Sequence, residues 1–427
     1  MSDTSKPVWV WRPGEVSPIE CGRFDLVNGV GLFSYREDYV HSATKSVALD
    51  PIHLPVTHRS RPFKETLQEG LFGVIRDAKP EGYGLDLLAM SREVRADDPM
   101  HVLEKSVGDT IGAIEVCDDI EAKLAYLAPE SEQLLHILAQ LPEARPASEA
   151  IRTVMGVPGT SAGGERPKLT VMHDGQYWLA KLQDRGDRPN APLREFVAMR
   201  VARRCGVNSA DVEFKLVGGR QVILVRRFDR DITPDGLTTR RLYASAHTVL
   251  HLDRQPAGSR ERSYIGLSKE LQRWCGQSEG QSYRGMQREL WRRVVLNSIL
   301  GNGDDHPRNT GLLFEDGQWM LSPAFDIAPH GSGFAGVQRM NVSRSQTSPA
   351  SSAIFNLLAD VKDYSYEEEE AREFIAQTCE RAPQIWRAEA AAQGFSEVDL
   401  PFQDPVWLDA PEPPRATTSS RARGQAR

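Results

Sequence analysis

None of the five cysteines, at positions 21, 117, 205, 275 and 379, lies in a Cys-x-x-Cys pair. An odd, unpatterned set excludes a zinc framework or a disulfide scaffold and reads as buried free thiols in a reducing compartment. No apolar run approaches the ~18 residues of a membrane span. The opening Met-Ser-Asp-Thr-Ser-Lys-Pro lacks the apolar core of a signal peptide, so the expected location is cytoplasmic. A basic excess is missing as well, since the formal net charge is -7 and the pI is near 5.9. That balance excludes a chain built mainly to neutralise nucleic-acid phosphates, although it leaves room for a local basic patch. There is no internal repeat and no Walker A loop, and the Gly-rich stretch 159–168 lacks the kinase Gly-x-Gly-x-x-Gly. What is present is a 427-residue chain, 40% hydrophobic and 26% charged, which is enough for two or three domains with sizeable cores.

Short strands and turns dominate residues 8–75: Val8–Trp11, Gly29–Tyr35 and the apolar Phe72-Gly73-Val74-Ile75 all read as strands. The turn Lys79-Pro80-Glu81-Gly82-Tyr83 precedes a helix from Leu85, and Pro142–Ala147 marks a linker or helix start. Two strands, Leu169–His173 and Gln176–Leu182, flank Asp174-Gly175, a strong signal for a tight hairpin turn. A helix fits Leu193–Cys205 and stops at Gly206; Gln221–Val225 is a further strand. In Arg288–Leu300, the residues Leu290, Trp291, Val294, Val295 and Ile299 form one helical stripe ending at Gly301. Thr310–Phe314 and Trp319–Leu321 read as a hairpin around Glu315-Asp316-Gly317. Residues 366–380 form a helix with acids in its first turn, the polarity its dipole favours. The polar, Pro- and Arg-bearing stretch from Pro411 is expected to be disordered.

The most informative stretch is Asn302-Gly303-Asp304-Asp305-His306-Pro307-Arg308-Asn309. Asp304 and Asn309 have the Asp-x4-Asn spacing of a kinase catalytic loop, in which the Asp receives the substrate hydroxyl's proton and the Asn oxygen holds Mg²⁺. Asp326, in Ser322-Pro323-Ala324-Phe325-Asp326, supplies a second metal oxygen. Nucleotide-bound Mg²⁺ needs only one or two carboxylates, so this sparse set suffices. The same residues also read as an Asn-Gly-Asp-Asp turn, so the upstream parts decide between the two.

Those parts should be a phosphate loop, a strand lysine and a helix glutamate, and they occur in that order. Ser161-Ala162-Gly163-Gly164-Glu165-Arg166-Pro167-Lys168 can bring backbone N–H groups close to phosphate oxygens, or is an ordinary loop. Lys181, on an apolar strand, is a candidate partner for the α and β phosphates or an exposed strand lysine. Glu195 either fixes Lys181 as an ion pair or is a solvated first-turn acid. Arg226-Arg227-Phe228 falls where a kinase hinge reads adenine through its backbone. His306 either touches a phosphate or is a structural histidine of the loop.

Taken together, these segments resemble the HipA family of bacterial serine/threonine kinases, the toxins of HipBA-type toxin–antitoxin systems. The resemblance spans roughly residues 20–390 and is most specific at Ser161–Lys168, Asn302–Asn309 and Pro323–Asp326; the turn at Lys79–Tyr83 resembles the Pro-Glu-Gly element of the family's first subdomain. It implies an α+β, two-lobed protein-kinase-like fold with a β-rich N-terminal subdomain and a C-terminal lobe dominated by helices. It implies Asp304 as general base, Asn309 and Asp326 as Mg²⁺ ligands, and Lys181 on the ATP phosphates. Gly163, Gly164, Glu165, Arg166, Pro167 and Lys168 would line the nucleotide, and Arg226, Arg227 and Phe228 would face adenine. His306, Pro307, Arg308, Asn309 and Phe325 would also lie near the nucleotide. Ser161 matches the serine whose autophosphorylation ejects the loop in this family, an effect that two added negative charges beside ATP explain.

Implied partners are a protein substrate, with glutamate- and tryptophan-tRNA ligases among the family's targets, and a small HipB-like DNA-binding antitoxin that provides any DNA contact. Departures are Arg166-Pro167 where the family often has a Gln-Glu or Gln-Asp pair, Arg226 at a usually acidic hinge position, and Asp305 directly after the base. The expected units are 1–120, 121–235, 236–410 and a tail, 411–427. A small-molecule kinase, or a non-catalytic protein that retains the scaffold, are the alternatives.

Overall fold

The computed structural model describes residues 4–42, 46–57, 60–90, 94–142, 144–155, 166–184, 186–253, 261–275, 283–329, 338–344 and 353–396. Its first layer is a five-stranded antiparallel sheet of β1 (Thr4–Val10), β2 (Ile19–Val27), β3 (Val30–Tyr35), β4 (Phe63–Glu65) and β5 (Ile114–Val116), ordered β4-β3-β2-β1-β5. Asn28-Gly29 closes the β2–β3 hairpin with φ of 51° and 76°. Positive φ at both positions is what a turn of type I′ demands, and Asn-Gly meets it at little steric cost. Val8, Val10, Phe24 and Phe33 point from this sheet into the core.

A second antiparallel sheet carries the site: β6 (Lys168–His173), β7 (Gln176–Leu182), β8 (Val212–Val217) and β9 (Arg220–Arg226), in the order β6-β7-β9-β8. Asp174 and Gly175 take φ of 47° and 67°, the predicted tight turn. Helix Ala191–Arg204 lies against β8 and β9 and against the long helix Glu368–Ala392. Being covered on both sides, it buries residues almost all round, including Arg194 and Glu195.

The C-terminal half is mostly helical but holds two small sheets. One pairs β10 (Arg230–Ile232) with β11 (Thr238–Arg240); the other orders β12 (Tyr243–Ser245), β13 (Gly311–Glu315) and β14 (Gln318–Leu321). Helix Tyr283–Leu300 starts five residues earlier than its stripe suggests and ends where Gly301 takes φ 67°. Among the described residues, no helix is long and apolar enough to cross a membrane.

One element differs in kind. Phe72–Ile75, read as a strand, is the start of a short helix, Gly73–Asp77. A four-residue apolar run carries no period to separate strand from buried helix, and here tertiary packing decides. A Cβ on Gly73 would come within 2.5 Å of Thr248 Cγ2, so the glycine lets this turn seat against helix Ala246–Val249. Four cysteines are buried free thiols, whereas Cys379 is half-buried. The tail 411–427 lies outside the described residues, as do Ser161, Gly163, Gly164 and Glu165.

Candidate active site

Three chain segments distant in sequence meet at one ammonium. Lys181 Nζ lies 2.5 Å from Glu195 Oε1 and 2.6 Å from Asp326 Oδ1. Each group arrives on a different support. Lys181 is on β7, Glu195 on the helix packed behind that sheet, and Asp326 just beyond β14. The main chain before Asp326 is tied to the second sheet's side of the molecule, because Ala210 N–H donates to Ala324 O (2.9 Å) and Ala324 N–H donates to Asn208 O (2.7 Å). Asp326 itself takes φ +59°. For a non-glycine residue this left-handed backbone is uncommon, and such outliers cluster at functional sites.

Desolvation works against the Lys181 ammonium, but Asp326 and Glu195 more than offset it and raise its pKa. Burial pushes Asp326 the other way, yet Lys181 and Lys168 hold its carboxyl well below the usual range. Glu195 is raised by burial, which outweighs the pull of Lys181. About a third of the Asp326 side chain (36%) stays exposed, whereas Glu195 keeps 2%. The glutamate therefore anchors the lysine from behind, and the aspartate opens outward.

It opens onto a cavity of about 420 Å³. Leu179, Val225, Phe228, Tyr243 and Phe325 contribute apolar wall, with the Phe228 and Phe325 rings 5.4 Å apart. Lys168, Lys181, Asp326, His306, Arg308 and Asn309 contribute polar wall. Lys168 faces Lys181 across the β6–β7 ladder, and burial together with Lys181 brings its pKa down to about 8. It makes no ion pair among the described residues.

The loop after helix Tyr283–Leu300 is held from beneath. His247 N–H donates to Pro307 O at 3.0 Å, and Asn309 Nδ2 donates to Asp304 O at 3.3 Å, turning the amide nitrogen of Asn309 inward. The two adjacent acids separate sharply. Asp304 keeps 39% of its side chain exposed and accepts from Arg339 Nε at 3.1 Å. Asp305 is buried, accepting from Tyr264 Oη at 2.6 Å and Asn297 Nδ2 at 2.7 Å. Asp305 is thus a strut of the loop. Asp304 does not line the cavity wall, and Arg339 was not foreseen beside it.

Other predicted residues fall in different places. Arg166 pairs with Asp187 at 3.1 Å, and Pro167 O accepts from Leu182 N–H at 3.1 Å; neither lines the cavity. Pro307 does not line it either. Arg226 does, with its N–H given to Asp211 O at 2.8 Å and its guanidinium 3.7 and 3.8 Å from Asp211 and Asp231. The Arg227 guanidinium is fully engaged, pairing with Asp229 (2.9 and 2.7 Å) and donating to Asp109 O (2.8 Å) and Thr110 O (3.1 Å). It clamps the N-terminal subdomain to the second sheet.

That subdomain supplies a wall sequence reasoning missed: Arg76, Asp77, Lys79, Glu81, Asp109 and Ile111 all line the cavity. Asp77 fastens it there, accepting from Ser245 N–H (2.7 Å), Ser245 Oγ (2.8 Å) and Thr248 Oγ1 (2.7 Å). The only available signal was the Lys79–Tyr83 turn, which marked a subdomain without announcing a place in the site.

A family model described as the HipA-like C-terminal domain matches residues 160–386, and one described as the HipA N-terminal domain matches residues 19–117. The chain belongs to the HipA family. Putative kinase Y4dM of Sinorhizobium fredii is 26% identical over 332 residues, covering 71% of this chain and 73% of that protein. The serine/threonine-protein kinase toxin HipA of Shewanella oneidensis is 23% identical over 282 residues, 58% of this chain and 60% of the relative. A chain from the solved complex of Shewanella oneidensis HipA, HipB and operator DNA superposes with a TM-score of 0.64 at 18% identity, covering 89% of this chain and 90% of its own. The two-lobed, kinase-like HipA fold is therefore shared, and kinase is the class to which this family's named relatives point.

Proposed function

We propose that this HipA-family protein is a Mg²⁺/ATP-dependent protein serine/threonine kinase acting as the toxin of a toxin–antitoxin pair. The observation that carries this reading is Lys181 held between Glu195 and Asp326 at the wall of one cavity. A lysine fixed this way is pre-positioned for phosphate oxygens, and positioning plus charge neutralisation supplies most of the catalysis in phosphoryl transfer.

The residues present fit the nucleotide. The cavity volume lies in the range small ligands occupy, its apolar wall suits a base, and its polar wall presents a lysine without an ion partner beside an open carboxylate. In this reading Phe228, Phe325, Val225 and Leu179 enclose the base, with the main chain at Arg226 and Arg227 alongside. Gly163, Gly164, Glu165, Lys168 and Lys181 hold phosphates, assisted by His306 and Arg308. Asn309 and Asp326 hold Mg²⁺, which when bound neutralises phosphate charge. Asp304 takes the proton of the acceptor hydroxyl, and Arg339 orients its carboxylate. Ser161 is the proposed autophosphorylation site, and a small HipB-like DNA-binding protein the proposed partner, as in the Shewanella complex.

Asp304→Asn tests the assignment. Phosphate transfer from labelled ATP to protein is expected to fall by about 10²–10⁴-fold, with thermal stability and ATP affinity nearly unchanged. Wild-type rates of self-labelling in this variant would remove Asp304 from the chemistry. Label found only in a metabolite would make the protein a small-molecule kinase instead.

A further inference from the structure

Lys79 lines the cavity, yet its ammonium reaches only the Pro80 carbonyl, at 3.4 Å, and makes no ion pair among the described residues. Its charged neighbours are chiefly of its own sign. Burial, followed by the Arg308 guanidinium, lowers its pKa; Glu69 acts in the opposite sense, and Arg76 again lowers it. Arg76 is itself buried (4% exposed), held by Thr248 Oγ1 at 2.8 Å and Asp77 at 3.2 Å. Arg308 pairs with Glu81, a contact 227 residues apart in sequence that straps the Lys79–Gly82 turn to the loop carrying Asp304 and Asn309. Three cations from two subdomains are thus gathered at the polar part of one cavity, and the two nearby acids, Asp77 and Glu81, are already engaged.

Such an arrangement costs stability in the empty protein. Like charges repel, and a lysine withdrawn from water without a partner is disfavoured. A bound anion removes both penalties through charge-assisted hydrogen bonds. We propose that Lys79, with Arg76 and Arg308 beside it, forms an oxyanion subsite that the N-terminal subdomain contributes to the catalytic cavity. This rests on the kinase reading only in naming the anion's source. The subsite takes either the terminal phosphate of the nucleotide or a phosphate or carboxylate group on the acceptor protein next to the hydroxyl being modified. In either case the N-terminal subdomain is a working part of the site, and the Glu81–Arg308 pair sets its distance from the catalytic loop.

The full-length protein and Lys79→Gln are compared, with thermal melting confirming equal folding. Calorimetric titrations with ATP and with ADP, both with Mg²⁺, form one arm. Titration of inorganic phosphate into ADP-saturated and nucleotide-free protein, followed by ³¹P linewidth, forms the other. Loss of about 5–10-fold in ATP affinity, with ADP within about twofold, assigns the subsite to the nucleotide. Unchanged nucleotide affinities with phosphate binding weakened by about fivefold or more assign it to the acceptor. A wild type that binds phosphate through Lys79 but binds no nucleotide keeps the subsite and removes the kinase reading. Equal affinities for all three probes in wild type and Lys79→Gln overturn the proposal.

Discussion

Both main sheets of this protein bury charged residues, but they treat them differently. In the N-terminal sheet every buried acid has a cationic or hydrogen-bonding partner in reach. Glu115 on β5 meets Arg240 at 2.9 Å and Lys123 at 3.8 Å, and Glu65 on β4 meets His251 at 2.9 Å. The second sheet sets two lysines directly opposite each other, Lys168 against Lys181, and compensates only one of them. Like charges facing across a ladder are destabilising. A sheet needed only for packing has no reason to hold such a pair, so the imbalance marks where an anion belongs. Compensated charge ties this fold together; uncompensated charge points to its ligand.

The sharpest way to break that contrast is Lys181→Met. It leaves Glu195 and Asp326 without their shared cation and removes the proposed phosphate contact. Transfer from labelled ATP is expected to fall by at least about 10²–10³-fold. A variant retaining a tenth of wild-type transfer would show that the ammonium is structural. The corresponding change in the first sheet, Glu115→Ala, strands Arg240 and Lys123 in the interior. Breaking one side of a buried pair costs about 3–5 kcal/mol, so a large fall in denaturant midpoint is expected, with transfer per folded molecule unchanged. A drop in activity without loss of stability would mean that the first sheet's charges serve the site as well.

The legible parts of this architecture were those with a local signature. Asp174-Gly175 and Asp316-Gly317 each fix a hairpin through two neighbouring residues with positive φ; Asn28-Gly29 does the same, although Gly29 was read as part of a strand. Lys181, Glu195 and Asp326 stood out by their order along the chain, and their side chains do meet; Asn309 lines the same cavity, whereas Asp304 does not. Phe72–Ile75 was misread because four apolar residues have no period, and Thr248, distant in sequence, settles their conformation. Asp304 and Asp305 are indistinguishable as letters. Only Tyr264 and Asn297, approaching from other segments, make one a strut and leave the other open. Lys79 was invisible as a site residue for the same reason, since its place depends on Glu81 meeting Arg308.

Lys168 gives the finest test, because its charge is conditional. Its pKa in the ligand-free fold is about 8, against 10.5 for the ordinary side chain. Between those values the unfolded chain binds more protons than the native one, so this residue makes stability rise as pH increases from about 8 towards 10.5. Below that window the native state carries the full cost of an ammonium facing Lys181. Lys168→Met is therefore expected to melt a few degrees higher than wild type at pH 7, with the gap closing as the solution becomes alkaline. Nucleotide binding should respond in the opposite sense, since phosphate oxygens require the protonated lysine. Wild-type affinity for ATP is expected to weaken by several-fold, up to about tenfold, between pH 7 and 9, whereas Lys168→Met should bind weakly at both. Parallel pH dependence in the two proteins would show that Lys168 does not meet the phosphates, and that the facing lysines have an origin other than ligand binding.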